Sequence, residues 1–223
     1  MNRIVITIDG PAASGKGSLS KKISKELNFY YMETGIYYRG FASLFYQNQV
    51  NILELPSFIS NLDINEFKEY VIHNKKKLYS TTVTKLASRL AKNLDIRTFI
   101  VKIQQDMIIT LEKQFNGIIL EGRDCGSVVA PEAGLKFYLT ARLKVRAERR
   151  FSQFVKDKRD ISYEQVLSDL KERDVQDKNR KHSPLQKPKG AVVIDNSDYN
   201  FEETINIVKN IIFSRIPTLK NKI

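Results

Sequence analysis

The 223 residues contain no tryptophan, one cysteine, two histidines and three methionines. A single thiol, Cys125, excludes an internal disulfide and fits a reducing cytoplasm. With only His73 and His182 beside it, the chain is too poor in soft ligands for a zinc site. No apolar run approaches the roughly 18 residues of a membrane span. The amino terminus is expected to enter a strand at once, which leaves no room for a secretory signal. No internal repeat and no low-complexity tract is present. These absences point to a cytoplasmic globular chain that stays off the membrane.

Positive charge is plentiful: 37 Lys and Arg stand against 25 Asp and Glu, a formal net charge of +12. Three readings compete for it. Lysines can sit on solvated faces, arginines can hold a small polyanionic substrate, or the whole surface can meet nucleic-acid phosphates. The last predicts steeply salt-dependent retention of RNA or DNA, but no aromatic-rich RNA-recognition motif accompanies the charge.

Short apolar runs at 3–9, 29–32, 117–121, 135–139 and 191–195 have strand length and β-branched or aromatic enrichment. Helical patterns occupy 15–27, 35–47, 81–93, 96–115, 142–157, 162–178 and 200–213. Such alternation predicts a parallel sheet with helices on both faces. Residues 48–80 read as an inserted, partly helical segment, and 152–188 as a charged one. Within 142–181, 13 Lys/Arg face 8 Asp/Glu. The tail 214–223 is expected to be poorly ordered.

The segment GPAASGKGS, Gly10 to Ser18, follows the first strand directly. It contains the phosphate-loop pattern G-x-x-x-x-G-K between a strand and a helix, the context in which backbone N–H groups form an anion nest. Lys16 would add a compact cation to follow a migrating phosphoryl group. Gly17 stands where switch GTPases carry a Mg²⁺-binding hydroxyl, and the hydroxyl comes one residue late, at Ser18. The N-K-x-D box of many GTPases is also missing. Both departures favour a small kinase over a molecular switch.

Other stretches bear on an acceptor. Glu121, Arg123 and Asp124 follow a strand, at the sheet edge where ligands sit, although a surface salt-bridge cluster would look the same. Thr34 can cap the following helix. Arg39, beside Tyr37 and Tyr38, has no evident structural reason to be arginine, and a phosphate would supply one. Arg173, Asp177 and Arg180 share one helical face, where they can pair with each other or close over a phosphorylated sugar. Arg142, Arg146, Arg149 and Arg150 form a basic stripe, either solvated or turned toward ATP.

With these pieces in order, the chain resembles bacterial cytidylate kinases, within the P-loop nucleoside monophosphate kinases. The resemblance runs through ITIDGPAASGKGS, ETGIYYR, ASRLAKNLDIR, EGRDCGSVVAPEAGLKFYLTA, RAERR, ERDVQDKNR, SPL and AVVIDNS, over about residues 3–213. Gly17 followed by Ser18 is ordinary in that family. The resemblance implies an α/β, three-layer P-loop kinase fold with a five-stranded parallel sheet flanked by helices. It also implies one domain: a core (1–47, 81–151 and 188–213), a nucleotide-binding insert near 48–80 and a mobile lid near 152–187.

The implied reaction is transfer of the γ-phosphoryl group of ATP to CMP or dCMP, with Mg²⁺ at Ser18. Gly10, Pro11, Ala12, Ala13, Ser14, Gly15, Lys16, Gly17 and Ser18, with Arg149 and Arg150, would hold ATP. Thr34, Arg39, Ser88, Arg97, Arg123, Asp124, Arg173, Asp177 and Arg180 would hold the acceptor. Of these, Ser88, Arg97 and Asp124 would read cytosine, and Lys16, Arg123 and Arg180 would carry the transfer. Glu33 and Glu121 replace the family's usual Asp, and the chain between Arg39 and Ser88 is shorter than in many relatives. Cys125 reads as packing. A monomer without nucleic acid is expected. A P-loop kinase acting on UMP or on a non-nucleotide acceptor is the nearest rival.

Overall fold

The computed structural model describes residues 4–222. Arg3, expected to open the first strand, and Ile223, at the end of the tail, lie outside them. The chain divides into two compact units, one formed by residues up to Met32 together with those from Leu111 onward, the other by Glu33–Thr110.

The first unit is built on a five-stranded parallel sheet with strand order β2-β3-β1-β4-β5. The strands are β1 (Ile4–Asp9), β2 (Tyr30–Glu33, whose last residue opens the second unit), β3 (Gly117–Gly122), β4 (Leu135–Thr140) and β5 (Val192–Asp195). β3 is buried along its whole length and β1 over all but its first residue, which is why both read as unbroken apolar runs. Their register sets Asp9 opposite Gly122, so the loops after β1 and β3 leave the sheet side by side. From there the chain runs to β2 on one side and to β4 on the other, the arrangement that opens a ligand crevice at the carboxyl ends of strands.

Helices α1 (Lys16–Leu27), α7 (Leu143–Lys156), α8 (Tyr163–Lys178) and α9 (Phe201–Arg215) complete this unit. The main core joins Ile6, Ile8, Ile119 and Phe137 of the sheet to Leu19 and Ile23 of α1 and Ile205, Val208 and Ile212 of α9. A smaller cluster packs Ala147 of α7 and Val166 and Leu170 of α8 against Ala12 of the first loop. Caps follow sequence signals: Ser162 bonds the Gln165 amide at the start of α8, and Asn200 and Glu203 make a reciprocal capping box on α9. The tail departs from expectation. After α9 a 3₁₀ turn, Pro217–Lys222, folds back, and Leu219 is buried in the main core. One apolar residue at the right spacing outweighs the terminal position.

The second unit is helical: α2 (Gly35–Gln47), α3 (Leu55–Asn61), α4 (Ile64–His73), α5 (Thr81–Leu90) and most of α6 (Leu94–Leu111), with 3₁₀ turns at Ile52–Glu54 and Lys77–Tyr79. Phe41, Phe58, Phe67 and Phe99 form an aromatic core with ring centroids 5.6–6.1 Å apart. Gly40 lets α2 approach α4, because a Cβ there would lie 2.4 Å from Val71 Cγ2 and 3.3 Å from the Phe67 ring.

Helix propensity alone favours alanine over glycine by about 1 kcal/mol. Overpacking against a stiff β-branched side chain costs about 1–3 kcal/mol. Gly40→Ala is therefore expected to destabilise the protein, and urea unfolding showing a gain in stability would contradict the packing argument.

Candidate active site

The loop from Gly10 to Gly15 is held by its carbonyls. Lys16 Nζ donates to Pro11 O at 3.1 Å, Arg146 to Ala12 O at 3.0 Å and Asn196 Nδ2 to Ser14 O at 3.1 Å, while Gly15 O accepts the Leu19 amide of α1. Ala13 (φ 58°) and Gly15 (φ 90°) take left-handed backbone, a conformation that turns successive N–H groups into an anion nest. Gly10 is required by space as well, since a Cβ there would stand 2.0 Å from Leu139 O.

Asp9, the last residue of β1, is fully buried and accepts from two amides across the sheet edge, Cys125 N and Gly126 N, both at 2.8 Å. It pins the turn Cys125–Val129, which follows Arg123 and Asp124, to the strand that feeds the phosphate loop. Burial outweighs the two amide bonds and pushes the Asp9 carboxyl up to about 6.

Lys16 is buried beside Glu121, with Nζ 4.0 Å from Oε2. Burial, reinforced by Arg123, pushes its ammonium down to about 7 against the pull of Glu121. A phosphate arriving in the nest would reverse that shift by supplying the missing negative charge. Glu121 also flanks Gly17, where a Cβ would lie 3.8 Å from its carboxyl group. Ser18 is exposed at the start of α1.

A second knot lies around Asp177. Arg123 Nε donates to its Oδ2 at 2.9 Å, and Arg173 and Arg180 stand 3.9 and 3.8 Å away. Burial alone would raise the Asp177 carboxyl, but the three guanidiniums overcome it and hold the group below the usual range. Arg173 and Asp177 pair on α8, but Arg180, expected on the same helical face, lies beyond the end of the helix at Lys178 and reaches Asp177 from there, while Arg123 joins from the β3 turn. Glu121 and Asp124 are buried, so this stretch is no surface cluster. Lys16 is buried, Arg123 and Arg180 are largely enclosed and Arg173 is partly exposed; the four gather around Glu121 and Asp177 through their ion pairs. A cluster of cations beside a phosphate loop can receive an anion.

The basic stripe on α7 splits into separate roles. Arg142 is exposed and paired with Asp198. Arg146 is buried and bonded to Ala141 O, Ala12 O and Asp174, which makes it a brace and not a ligand contact. Arg149 bonds Asn196 and the Tyr199 carbonyl, and Arg150 lies over the Phe154 ring. Both line a cavity of about 590 Å³ together with Gly15, Lys16, Gly17, Ser18 and Glu121. Asn196, Tyr199, Asn200 and Phe201 line it too. Sequence reasoning missed these four, although two aromatics just after a strand end were a readable signal. It also missed Asp9 and Asp174; the latter sits beside Arg173 but points to α7.

In the second unit Thr34 occupies the N-cap position of α2 without a side-chain capping bond, so capping does not explain it. Arg39, expected to lack structural partners, has two. Its NH1 stands 3.6 Å from Glu33 Oε1, and its guanidinium carbon lies 4.7 Å from the Tyr79 ring centroid. Arg97 is buried, donates to Ala91 O at 2.9 Å and lies over the Tyr38 ring. Ser88 is half-buried on α5. Among the described residues no group of three or more His, Cys, Asp or Glu could hold a metal ion, and no helix is long and apolar enough to cross a membrane.

The raised Asp9 carboxyl gives a signed expectation. Between about pH 4 and pH 6 the folded chain binds the Asp9 proton while the unfolded chain releases it, so stability from this group falls as pH rises through that window. Measured by urea unfolding across that range, the wild-type chain is expected to lose stability relative to Asp9→Asn as pH increases. A pH-independent difference would remove the buried-carboxylate account.

The model of the cytidylate kinase family matches residues 6–214. A curated cytidylate kinase from Bartonella bacilliformis is 38% identical over 206 residues, covering 91% of each chain. One from Clostridium tetani is 32% identical over 228 residues, covering 99% of each. Among solved structures, TT1252 from Thermus thermophilus superposes with a TM-score of 0.52 at 12% identity, covering 97% of this chain and 99% of that one, a likeness of fold alone. Phosphate loop and near full-length similarity agree: the chain belongs to the cytidylate kinase family.

Proposed function

We propose that the protein transfers the γ-phosphoryl group of ATP to CMP or dCMP, giving ADP and CDP or dCDP. The observation that carries this reading is the cluster of cations beside the phosphate loop, Lys16, Arg123, Arg173 and Arg180, which suits two polyanions brought together. Gly10–Ser18 hold the ATP phosphates, and Arg149 and Arg150 border the cavity that takes the rest of the donor. Arg123, Arg173 and Arg180 take the acceptor phosphate with Arg39, while Asp177 orients the arginines and meets the sugar. Asp124, Ser88 and Arg97 read cytosine: a carboxylate accepts from the exocyclic amine, and guanidinium and hydroxyl serve N3 and O2. Thr34 lies beside the acceptor. Residues 48–80 act as the nucleotide-binding insert and 152–187 as a mobile lid of one functional domain.

No nucleophilic side chain or general base is needed. A phosphate monoester is already largely dianionic at neutral pH, its second pKa being about 6. Its oxygen forms the new bond to the γ-phosphorus as the bond to the ADP oxygen breaks. Repulsion between the two anions is the obstacle, and Lys16, Arg123 and Arg180 offset it where charge spreads over the transferring group. Lid closure excludes water as a competing acceptor. The donor set fits Mg²⁺ carried in on the nucleotide: Ser18 and Glu121, which line the same cavity, would hold it and it would supply charge neutralisation at the phosphates. The protein acts as a cytoplasmic monomer without nucleic acid.

ADP release from MgATP, with CMP, dCMP, UMP, AMP and GMP offered separately, tests the reading. Turnover with CMP and dCMP alone is expected; silence with all five overturns it. Lys16→Ala is expected to lower kcat by about two to three orders of magnitude in a chain that still folds. Asp124→Ala is expected to raise KM for CMP more than for ATP, and equal effects on both would remove its base-reading role.

A further inference from the structure

Tyr79 closes the 3₁₀ turn Lys77–Tyr79, in a stretch whose sequence offered no motif, yet its side chain meets two groups of the candidate acceptor site. Its hydroxyl donates to the Glu33 carboxylate, within reach of both oxygens. Its ring face carries the Arg39 guanidinium. Among these three groups the carboxylate takes its hydrogen bond from the phenol and not from the arginine.

Arg39 is consequently held in place while, among the described residues, its N–H groups grip neither of these two partners. Its distance to Glu33, 3.6 Å, gives Coulomb attraction but no hydrogen bond. Its Nε is buried without a partner. A guanidinium stacked on a ring and facing a carboxylate it does not grip is oriented by flat, weakly directional forces. An anion can take its forked N–H groups without first breaking a bidentate ion pair. Glu33, one methylene longer than aspartate, is the obvious competitor for those N–H groups, and the phenol keeps it occupied.

We propose that Tyr79 is a positioning residue for phosphate recognition. By donating its hydroxyl to Glu33 it keeps the Arg39 guanidinium available for the phosphate of the acceptor nucleotide. This rests on the reading of Arg39 as an acceptor-phosphate contact.

Tyr79→Phe removes the hydroxyl and keeps the ring under Arg39. Glu33 then turns to Arg39, and KM for CMP is expected to rise about tenfold, the equivalent of one charge-assisted hydrogen bond diverted, while KM for ATP stays in place. Adding Glu33→Gln to Tyr79→Phe removes the competing charge and is expected to bring KM for CMP back. A merely structural role would lower the melting temperature, move both KM values together and show no rescue. An unchanged KM for CMP in Tyr79→Phe, or a rise that Glu33→Gln does not reverse, overturns the proposal. Titration calorimetry of CMP on the same variants separates this from the kinase reading. A wild type that binds CMP without turning it over sinks the kinase reading and leaves the titrations to decide Tyr79. A wild type that does neither overturns both.

Discussion

The site depends on one fully buried carboxylate. Asp9 takes the amides of Cys125 and Gly126, so the end of β1 and the turn after β3 become a single rigid piece. Arg123 and Asp124 precede that turn directly, and the phosphate loop begins at the residue after Asp9. The same logic continues around the loop, where Lys16, Arg146 and Asn196 each take a carbonyl, of Pro11, Ala12 and Ser14. A backbone whose oxygens are tied outward has its N–H groups left for a ligand. Preorganisation of that kind does not have to be assembled when charge moves.

Burying ions is costly, and this molecule distributes the cost unevenly. Arg146 is matched by Asp174 and two carbonyls and behaves as scaffold. Around Asp177 three arginines, Arg123, Arg173 and Arg180, gather on one carboxylate. The two arrangements differ: Arg146 is gripped by short bonds, whereas Arg173 and Arg180 stand 3.9 and 3.8 Å from the carboxylate they surround. The net charge of +12 thus has no single meaning, since buried cations such as Lys16 and Arg146 and solvated ones such as Arg142 contribute to it alike.

Much of the architecture was legible because the signals were local. Unbroken apolar runs marked β1 and β3, and helical patterns over 162–178 and 200–213 marked α8 and α9. The G-x-x-x-x-G-K spacing marked the loop. What escaped depended on partners distant in sequence. The Asp9 bond spans more than a hundred residues, and nothing near Asp9 announces it. Arg39 showed no structural partner beside Tyr37 and Tyr38 because its ring partner, Tyr79, lies in a stretch without motif. The four arginines of α7 looked equivalent along the helix, yet successive turns present them to solvent, to α8 and to the cavity. Leu219 shows the reverse error, where a terminal position suggested disorder and one buried side chain decided otherwise.

The chain's only thiol sits where Asp9 grips the backbone. Cys125 has no exposed surface and no disulfide. Solvent-borne alkylating or oxidising reagents therefore meet it only when the turn after β3 lets go. The rate at which that sulfur reacts is a clock for opening at the heart of the molecule, readable in the unmodified sequence without an introduced label.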